Sequence, residues 1–278
     1  MRNQTYCQIR NLFLLVMLVA LPFFQTASAE GGEAEIINLG KWTKPDLETL
    51  MTESASADGM GERIGFISAE FLGTPYVADT LTGNASTPEV FTIDLEGMDC
   101  FTYVDYVEAL SLSDSFPDFE ENLRKIRYKD GVVAFQNRNH FFSDWPVNNS
   151  DKVKDVTRAV GGDKTMSASK SLNQKKDGGL FLPGIPVKNR TIYYIPSPEI
   201  DGEVISNLQT GDYAGIFTEI DGLDVSHTGI IIKKGNTAYL RNASSRKSNM
   251  KIVDQNLIEY MQNKPGLVVY RPVGQGAN

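Results

Sequence analysis

Residues 97–110 read GMDCFTYVDYVEAL, and the rest of the chain is organised around this stretch. The spacing of Cys100, Val104, Val107 and Leu110 predicts a largely buried helix that opens only its N-terminus, at Asp99, toward a cleft. Exposed backbone N–H groups and the positive end of the helix dipole favour a thiolate at that place. The stretch therefore predicts a nucleophilic cysteine, with a buried structural cysteine as the alternative.

The N-terminus has the pattern of a secretory signal peptide. Arg2 and Arg10 precede an apolar run, residues 12–24, which leads to Ala27-Ser28-Ala29, so residues 1–29 are expected to be removed after export. The apolar run is too short to span a bilayer comfortably, and no second long apolar stretch follows it. The mature protein, residues 30–278, is expected to be periplasmic or secreted and free of the membrane.

Composition limits the partners that this protein can have. The full chain has 27 basic and 35 acidic residues, and loss of the two signal-peptide arginines leaves 25 basic residues and a net charge of −10. Such an acidic surface is a poor partner for nucleic acid. The mature chain is long enough for a single catalytic domain with its own core, and we expect a monomer.

The cysteine count favours a reactive thiol. The sequence has two cysteines, and Cys7 lies in the signal peptide. Cys100 is then the only thiol of an exported protein and cannot form an internal disulfide. Because a free thiol is a chemical liability in an oxidising compartment, a functional role is favoured over packing.

The periodicity of the chain predicts an α+β fold. Residues 30–40 are expected to form a loose leader, and residues 148–179 a mobile, polar surface excursion. The late strands predict an antiparallel sheet or small barrel behind a helical N-terminal layer. Helices are expected over residues 44–51, 62–71, 99–113 and 117–126, and strands over 90–95, 132–142, 191–195, 212–219, 226–233, 237–241 and 267–271.

A cysteine enzyme would have to take its base from two histidines. His227 directly precedes the strand-like run TGIII, whereas His140 lies among aromatic residues in RNHFF. A base needs a rigid position that faces the cleft, so His227 is the predicted base. His140 is expected to support the structure or to contact substrate.

A predicted hairpin brings an amide to His227. If its loop is Lys234-Gly235, or all four residues KKGN, then Asn242 pairs directly with His227. If the loop is Gly235-Asn236, then Asn242 lies one diagonal step away on the same face, whereas a three-residue loop would put it on the opposite face. An amide there would fix the orientation and tautomer of the imidazole. An ordinary polar residue at a strand end is the alternative.

Other chemistries lack their motifs. The histidines and cysteines show no HExxH or CxxC spacing, so we predict no metal site and no cofactor. No GxSxG sequence supports a serine hydrolase.

The ordered set of motifs resembles the NlpC-type, papain-like bacterial cell-wall hydrolases, and among them the N-acetylmuramoyl-L-alanine amidase-like family. In those enzymes a cysteine opens a helix, a histidine begins a strand, and a polar residue follows on the next strand. The Asp-Cys and His-x-Gly pairs are weak signals alone, whereas the ordered set is strong. The matching segments span most of the mature chain: FLGTPYV at 71–77, DCFTYV at 99–104, IRYKDG at 126–131, HTGI at 227–230 and LRNAS at 240–244.

This resemblance implies a papain-like α+β fold and a reaction. The reaction would be hydrolysis of the amide between the lactyl group of muramic acid and the L-alanine of the stem peptide. A preference for anhydro-muramyl fragments would make the protein an enzyme of cell-wall turnover, with peptidoglycan fragments as its partners.

The resemblance also implies roles for individual residues. Cys100 would be the nucleophile, with its backbone N–H as oxyanion donor, His227 the base and later the acid, and Asn242 the orienting third residue. Many relatives have histidine at that third position. Tyr76 matches a cleft tyrosine, and Asp99 precedes the nucleophile as in the relatives, where it would cap the helix or hold substrate.

Three other functions remain open. The chain could be an endopeptidase that cuts the stem peptide at the D-glutamyl bond, or a cysteine acyltransferase that uses the same residues. It could also be a non-catalytic module that binds carbohydrate or peptidoglycan.

Overall fold

The computed structural model describes residues 35–274. The predicted signal peptide, residues 1–29, lies outside the described residues. Within the described region, every helix is too short or too polar to cross a bilayer.

The long helices come first in the described chain, as the sequence predicts. The four helices that begin before residue 120 have 10 to 12 residues each, and the later four have five or six. The eight are α1 Lys44–Ser54, α2 Met60–Ala69, α3 Cys100–Ser111, α4 Phe116–Arg127, α5 Asp144–Asn148, α6 Thr157–Gly161, α7 Gly202–Asn207 and α8 Leu257–Met261.

The strands form one small parallel sheet and one large antiparallel sheet. They are β1 Glu35–Asn38, β2 Phe91–Asp94, β3 Val153–Asp155, β4 Met166–Leu172, β5 Lys188–Pro196, β6 Tyr213–Phe217, β7 Val225–Lys234, β8 Thr237–Ser244, β9 Lys251–Asn256 and β10 Gly266–Pro272. The large sheet has the order β4-β5-β10-β6-β7-β8-β9, with β3 also paired to β10, whereas β1 pairs with β2 in a separate sheet.

Both faces of the large sheet are buried at its central strands. In β10, Val268 and Tyr270 belong to the core shared with α1 to α4, whereas Leu267 and Val269 belong to a second core shared with α7 and α8. A strand buried on both sides shows no alternation of apolar and polar residues. The antiparallel sheet therefore lies between a large and a small helical layer.

Helix α3 is the buried helix that the opening stretch predicts. Asp99 caps it, because its carboxylate accepts hydrogen bonds from the backbone N–H groups of Phe101 at 2.9 Å and Thr102 at 2.7 Å. The Thr102 hydroxyl in turn accepts from the N–H of Asp99 at 3.0 Å, which completes a capping box. Residues 102–111 are buried, while Cys100 and Phe101 stay partly exposed. The helix thus presents its first turn to the cleft.

Buried polar side chains hold α3 against its neighbours. Asp105 accepts hydrogen bonds from Nε of Arg127 at 3.0 Å and from Nε1 of Trp145 at 3.1 Å. One turn further along, the hydroxyl of Tyr213 donates to Glu108. Because removing one partner would leave a buried polar group or charge without compensation, these bonds fix the position and rotation of the helix.

Three sequence predictions are wrong. Residues 35–38 form β1 instead of a loose leader, and residues 132–142 contain a 3-10 helix, Phe135–Asn137, instead of a strand. The supposed excursion at 148–179 contains β3, α6 and β4, and β4 pairs with β5 along its whole length. The sequence of β4, MSASKSL, has little apolar content because it is an edge strand with an exposed face.

Candidate active site

Cys100 is the first residue of α3, and its side chain is partly exposed. Burial and, to a smaller extent, the charge of Asp99 raise the pKa of its thiol to about 11, and hydrogen bonds with Thr228 limit the rise. Desolvation and the adjacent carboxylate thus oppose the thiolate that the helix N-terminus is predicted to favour. The thiol is protonated at neutral pH and needs a base to become nucleophilic.

His227 lies in β7 at a β-bulge, where the register shifts opposite Ile216 and Phe217. A bulge bends the strand and redirects a side chain, which is common beside active sites. Nε2 of His227 donates to Oδ1 of Asn242 at 2.9 Å, which leaves Nδ1 as the unprotonated nitrogen. Burial lowers the pKa of His227, so the ring is a neutral base at pH 7.

The observed hairpin selects one of the predicted registers. Lys234 pairs with Thr237, so the loop is Gly235-Asn236. This is the register in which Asn242 lies one diagonal step from His227 on the same face of the sheet. The hydrogen bond between the two side chains confirms that placement.

The amide of Asn242 is held from two further directions. Its Nδ2 donates to the carbonyl of Leu240 at 3.2 Å and to Oε1 of Gln255 at 3.3 Å, so its Oδ1 is left to face His227.

Gly229 allows the strands β7 and β8 to approach closely beside Asn242. A Cβ there would lie 2.7 Å from Cδ1 of Leu240 and 3.0 Å from Cβ of Asn242. The glycine of the His-x-Gly pair therefore has a packing cause.

Two residues that the sequence analysis missed contact the start of α3 or the ring of His227. The hydroxyl of Thr228 donates to the carbonyl of Cys100 at 2.8 Å, which ties the start of α3 to β7. The ring of Tyr260 stacks on His227, with ring centroids 6.2 Å apart. Burial raises the pKa of Tyr260, and the nearby Cys100 adds to the rise. A threonine in a strand and a tyrosine in a five-residue helix carry no pattern that could have identified them.

A cavity of about 610 Å³ is lined by Asp99, the residue that precedes Cys100. This volume is in the range of small-molecule sites, roughly 300–1,000 Å³. Asp99 and His140, both predicted substrate contacts, line it together with residues 79–81, residues 83–86, Phe135, Arg138, Leu182 and Pro183. Only Oδ1 of Asp99 takes part in the helix cap among the described residues, so the carboxylate both caps the helix and faces the cavity.

His140 has a local hydrogen-bond partner. Its Nε2 donates to the carbonyl of Phe135 at 2.7 Å, and its ring packs edge-on against the ring of Phe135 with centroids 4.7 Å apart. Burial lowers the pKa of His140 to about 4, so the ring is neutral at physiological pH. His140 therefore brings a neutral imidazole with an unprotonated Nδ1 to the cavity wall.

Tyr76 lies beside the start of α3. Its N–H donates to the carbonyl of Met250 at 3.0 Å, and the next residue donates to the carbonyl of Met98 at 3.2 Å. Burial raises the pKa of Tyr76, and the neighbouring Cys100 and Asp99 add to the rise. Its hydroxyl thus stays protonated at neutral pH, close to Cys100.

Some polar groups at the cavity have no partner within the described chain. The hydroxyl of Thr80 and Nε of Arg138 are buried and make no hydrogen bond there, although Arg138 pairs with Glu89 at 2.6 Å through another nitrogen. Buried polar groups normally find a partner, such as a ligand or ordered water. No group of three or more His, Cys, Asp or Glu side chains in residues 35–274 is placed to hold a metal ion.

Comparison with known proteins identifies the family. A family model described as N-acetylmuramoyl-L-alanine amidase-like matches residues 66–267, which contain Cys100, His227 and Asn242. The chain belongs to this family. No curated protein matches the sequence significantly.

Solved structures that share the fold of this chain have different descriptions, and one of them is an N-acetylmuramoyl-L-alanine amidase. A DUF1460 protein from Legionella pneumophila str. Philadelphia 1 has a TM-score of 0.70 and 25% identity, covering 83% of this chain and 94% of its own. An N-acetylmuramoyl-L-alanine amidase from Bacteroides uniformis ATCC 8492 has a TM-score of 0.66 and 27% identity, covering 77% of this chain and 98% of its own. A putative xylanase from Bacteroides fragilis has a TM-score of 0.61 and 28% identity, covering 73% of this chain and 98% of its own.

Proposed function

We propose that the protein is an exported cysteine amidase that hydrolyses the amide between (anhydro-)N-acetylmuramic acid and L-alanine in peptidoglycan fragments. One observation carries the proposal: His227 donates a hydrogen bond to Asn242, and the next residue of the same strand, Thr228, donates one to the carbonyl of Cys100. An imidazole held in one tautomer near a thiol is what nucleophilic amide cleavage requires. Membership of the amidase-like family supports the choice of bond.

The acylation step begins from a neutral thiol and a neutral imidazole. Nδ1 of His227 takes the proton of Cys100 while the sulfur attacks the lactyl carbonyl carbon, and the backbone N–H of Cys100 donates to the resulting oxyanion. His227 then gives the proton to the nitrogen of L-alanine, and the carbon–nitrogen bond breaks. The peptide leaves with a free amine, and the muramyl group remains as a thioester on Cys100.

The deacylation step uses the same base. A water molecule takes the place of the departed peptide, and His227 removes its proton while its oxygen attacks the thioester carbonyl. The carbon–sulfur bond breaks, the sulfur regains a proton, and a muramic carboxylic acid leaves. In the acylation step, the raised pKa of the thiol and the lowered pKa of the imidazole both favour base-assisted attack over attack by a resting ion pair.

We infer that the fold is papain-like and of the NlpC type, as the order of cysteine helix, histidine strand and amide strand supports. The predicted signal peptide supports export, and the exported protein would be periplasmic or secreted. We expect it to act as a monomer. Anhydro-muramyl fragments in that compartment would make the reaction a step of cell-wall turnover.

The cavity beside Asp99 is the proposed site of the muramyl sugar. Sugar hydroxyl groups both donate and accept hydrogen bonds. The cavity offers a carboxylate at Asp99, a neutral imidazole at His140 and the unpaired hydroxyl of Thr80, with Leu182 as an apolar wall. Tyr76 adds a donor near the scissile carbonyl.

Mass spectrometry of anhydro-muropeptides incubated with the enzyme tests this function. We expect a stem peptide with a free N-terminal L-alanine and a muramyl product without peptide. A muramyl-L-Ala-D-Glu product would instead assign the endopeptidase, and transfer to an added amine would assign the acyltransferase. Unchanged muropeptides that bind measurably would assign a binding module.

A further inference from the structure

Two cationic side chains lie over the aromatic ring that stacks on the base. The guanidinium carbon of Arg246 is 4.7 Å from the ring centroid of Tyr260, and Nζ of Lys264 is 5.7 Å from it. The same ring is stacked on His227 at an interplanar angle of 28°. Tyr260 therefore connects both cations to the base.

Neither cation is neutralised by the described chain. Arg241 and Arg271 form close ion pairs with Asp254 and Asp212, both at 2.7 Å, whereas Arg246 and Lys264 form none within residues 35–274. Arg246 is exposed and Lys264 is half-buried, so both can reach a bound molecule. Their charges also help to lower the pKa of His227, behind the larger effect of burial, which places their field at the base.

The proposed reaction fixes the direction of the substrate. The nitrogen of L-alanine must receive its proton from His227, so the leaving peptide lies on the His227 side of Cys100. The acyl group remains on the side of Asp99, where the cavity lies. A peptide that continues beyond L-alanine on this side would extend toward Tyr260, the ring that stacks on His227.

We propose that Arg246 and Lys264 form a subsite for a carboxylate of the leaving peptide, with Tyr260 as its floor. This inference rests on the proposed amidase function and deepens it, because it makes an acidic stem peptide the preferred leaving group. A guanidinium binds a carboxylate through two parallel N–H groups, and the ammonium adds a point charge. A carboxylate on the second residue of the stem peptide is close enough to the scissile nitrogen to be bound by these two side chains.

Steady-state kinetics with two substrates test the subsite. One muropeptide carries a free α-carboxylate on its D-glutamyl residue, and the other carries the primary amide at that carbon. For the acidic substrate, Arg246→Gln and Lys264→Gln should each raise KM about tenfold while kcat changes less than about twofold, as for loss of a charge-assisted hydrogen bond. For the amidated substrate, the same variants should leave KM nearly unchanged.

Lys247→Gln is the matched control, because it removes the same charge from the exposed neighbour of Arg246. We expect it to leave KM for both substrates unchanged. Equal losses on the acidic and amidated substrates, or a tenfold loss in Lys247→Gln, would overturn the subsite.

A binding experiment separates this inference from the amidase proposal. Calorimetry with Cys100→Ala and the free dipeptide L-Ala-D-Glu, against the same dipeptide amidated at the α-carboxyl, requires no turnover. Tighter binding of the acidic dipeptide, lost in Arg246→Gln, supports the subsite even if no muropeptide is cleaved. Cleavage of muropeptides without any preference for the acidic dipeptide would refute the subsite and leave the amidase proposal standing.

Discussion

The two histidine regions of this molecule share a tautomer and differ in what produces it. Nε2–H donates to the side chain of Asn242 in His227 and to the backbone carbonyl of Phe135 in His140. The partner of His227 comes from the next strand, 15 residues away, whereas that of His140 lies five residues back. A free Nδ1 is therefore not enough to identify a base.

The difference that matters is the place of each ring relative to the thiol. Thr228, the residue after His227, donates a hydrogen bond to the carbonyl of Cys100, whereas His140 lines the cavity beside Asp99. Burial lowers the pKa of both rings, so charge state at pH 7 does not distinguish them. This difference in position is why we propose His227 as the base and His140 as a substrate contact.

Replacement of each histidine by alanine should give the largest contrast. His227→Ala should lower kcat by at least about a thousandfold because both proton transfers lose their carrier. His140→Ala should lower kcat less than about tenfold. Steady-state rates with an anhydro-muropeptide measure both, and an inactive His140→Ala beside an active His227→Ala would reverse the assignment.

Removal of the partner of His227 should have the next largest effect. Asn242→Ala should lower kcat roughly ten- to a thousandfold while KM and the melting temperature stay nearly unchanged, because water can replace part of the orienting bond. Gln255→Ala, which loosens Asn242 only indirectly, should cost less. A variant of Asn242 with wild-type kcat would remove it from the mechanism.

Alkylation of Cys100 should sharpen the comparison through pH. A thiol with a pKa of about 11 should react with iodoacetamide about a hundredfold faster at pH 9 than at pH 7, because the thiolate fraction rises tenfold per pH unit below the pKa. His140→Gln should leave this profile unchanged. A rate already at its plateau at pH 7 would instead show a resting ion pair of Cys100 with His227.

The smallest expected effect is that of His140 on the acid limb of activity. Protonated His227 cannot accept the thiol proton, so kcat/KM should fall as pH drops through the lowered pKa of His227, below the usual 6.5. His140→Gln should raise KM a few-fold and leave the limb in place. A limb that moves in His140→Gln would mean that His140 titrates in the rate.

The sequence predicted the positions of the candidate site residues better than their pKa values. A hairpin loop of two or four residues places Asn242 on the same face as His227, because strand side chains alternate with period two. The pKa of Cys100 could not be foreseen, because it depends on how completely other segments desolvate the thiol. The cationic side chains at Tyr260 could not be foreseen either, since only tertiary packing brings residues 246 and 264 together.

The strands show the same limit. The central strands are apolar because both of their faces are buried, so composition alone reveals them. The edge strand β4 is held mainly by backbone pairing with β5 and needs few apolar side chains, so its sequence looks like a loop. The N-terminal strand β1 has three exposed residues and is likewise defined by its partner.

The mass of the acyl-enzyme tests the central claim most directly. Enzyme mixed with an anhydro-muropeptide, quenched rapidly in acid and analysed by intact-protein and peptide mass spectrometry, should gain the mass of the muramyl acyl group without alanine. The added mass should map to the peptide that contains Cys100 and should be absent from Cys100→Ala. An adduct that retains alanine and glutamate, or one on another residue, would contradict the assigned bond or the assigned nucleophile.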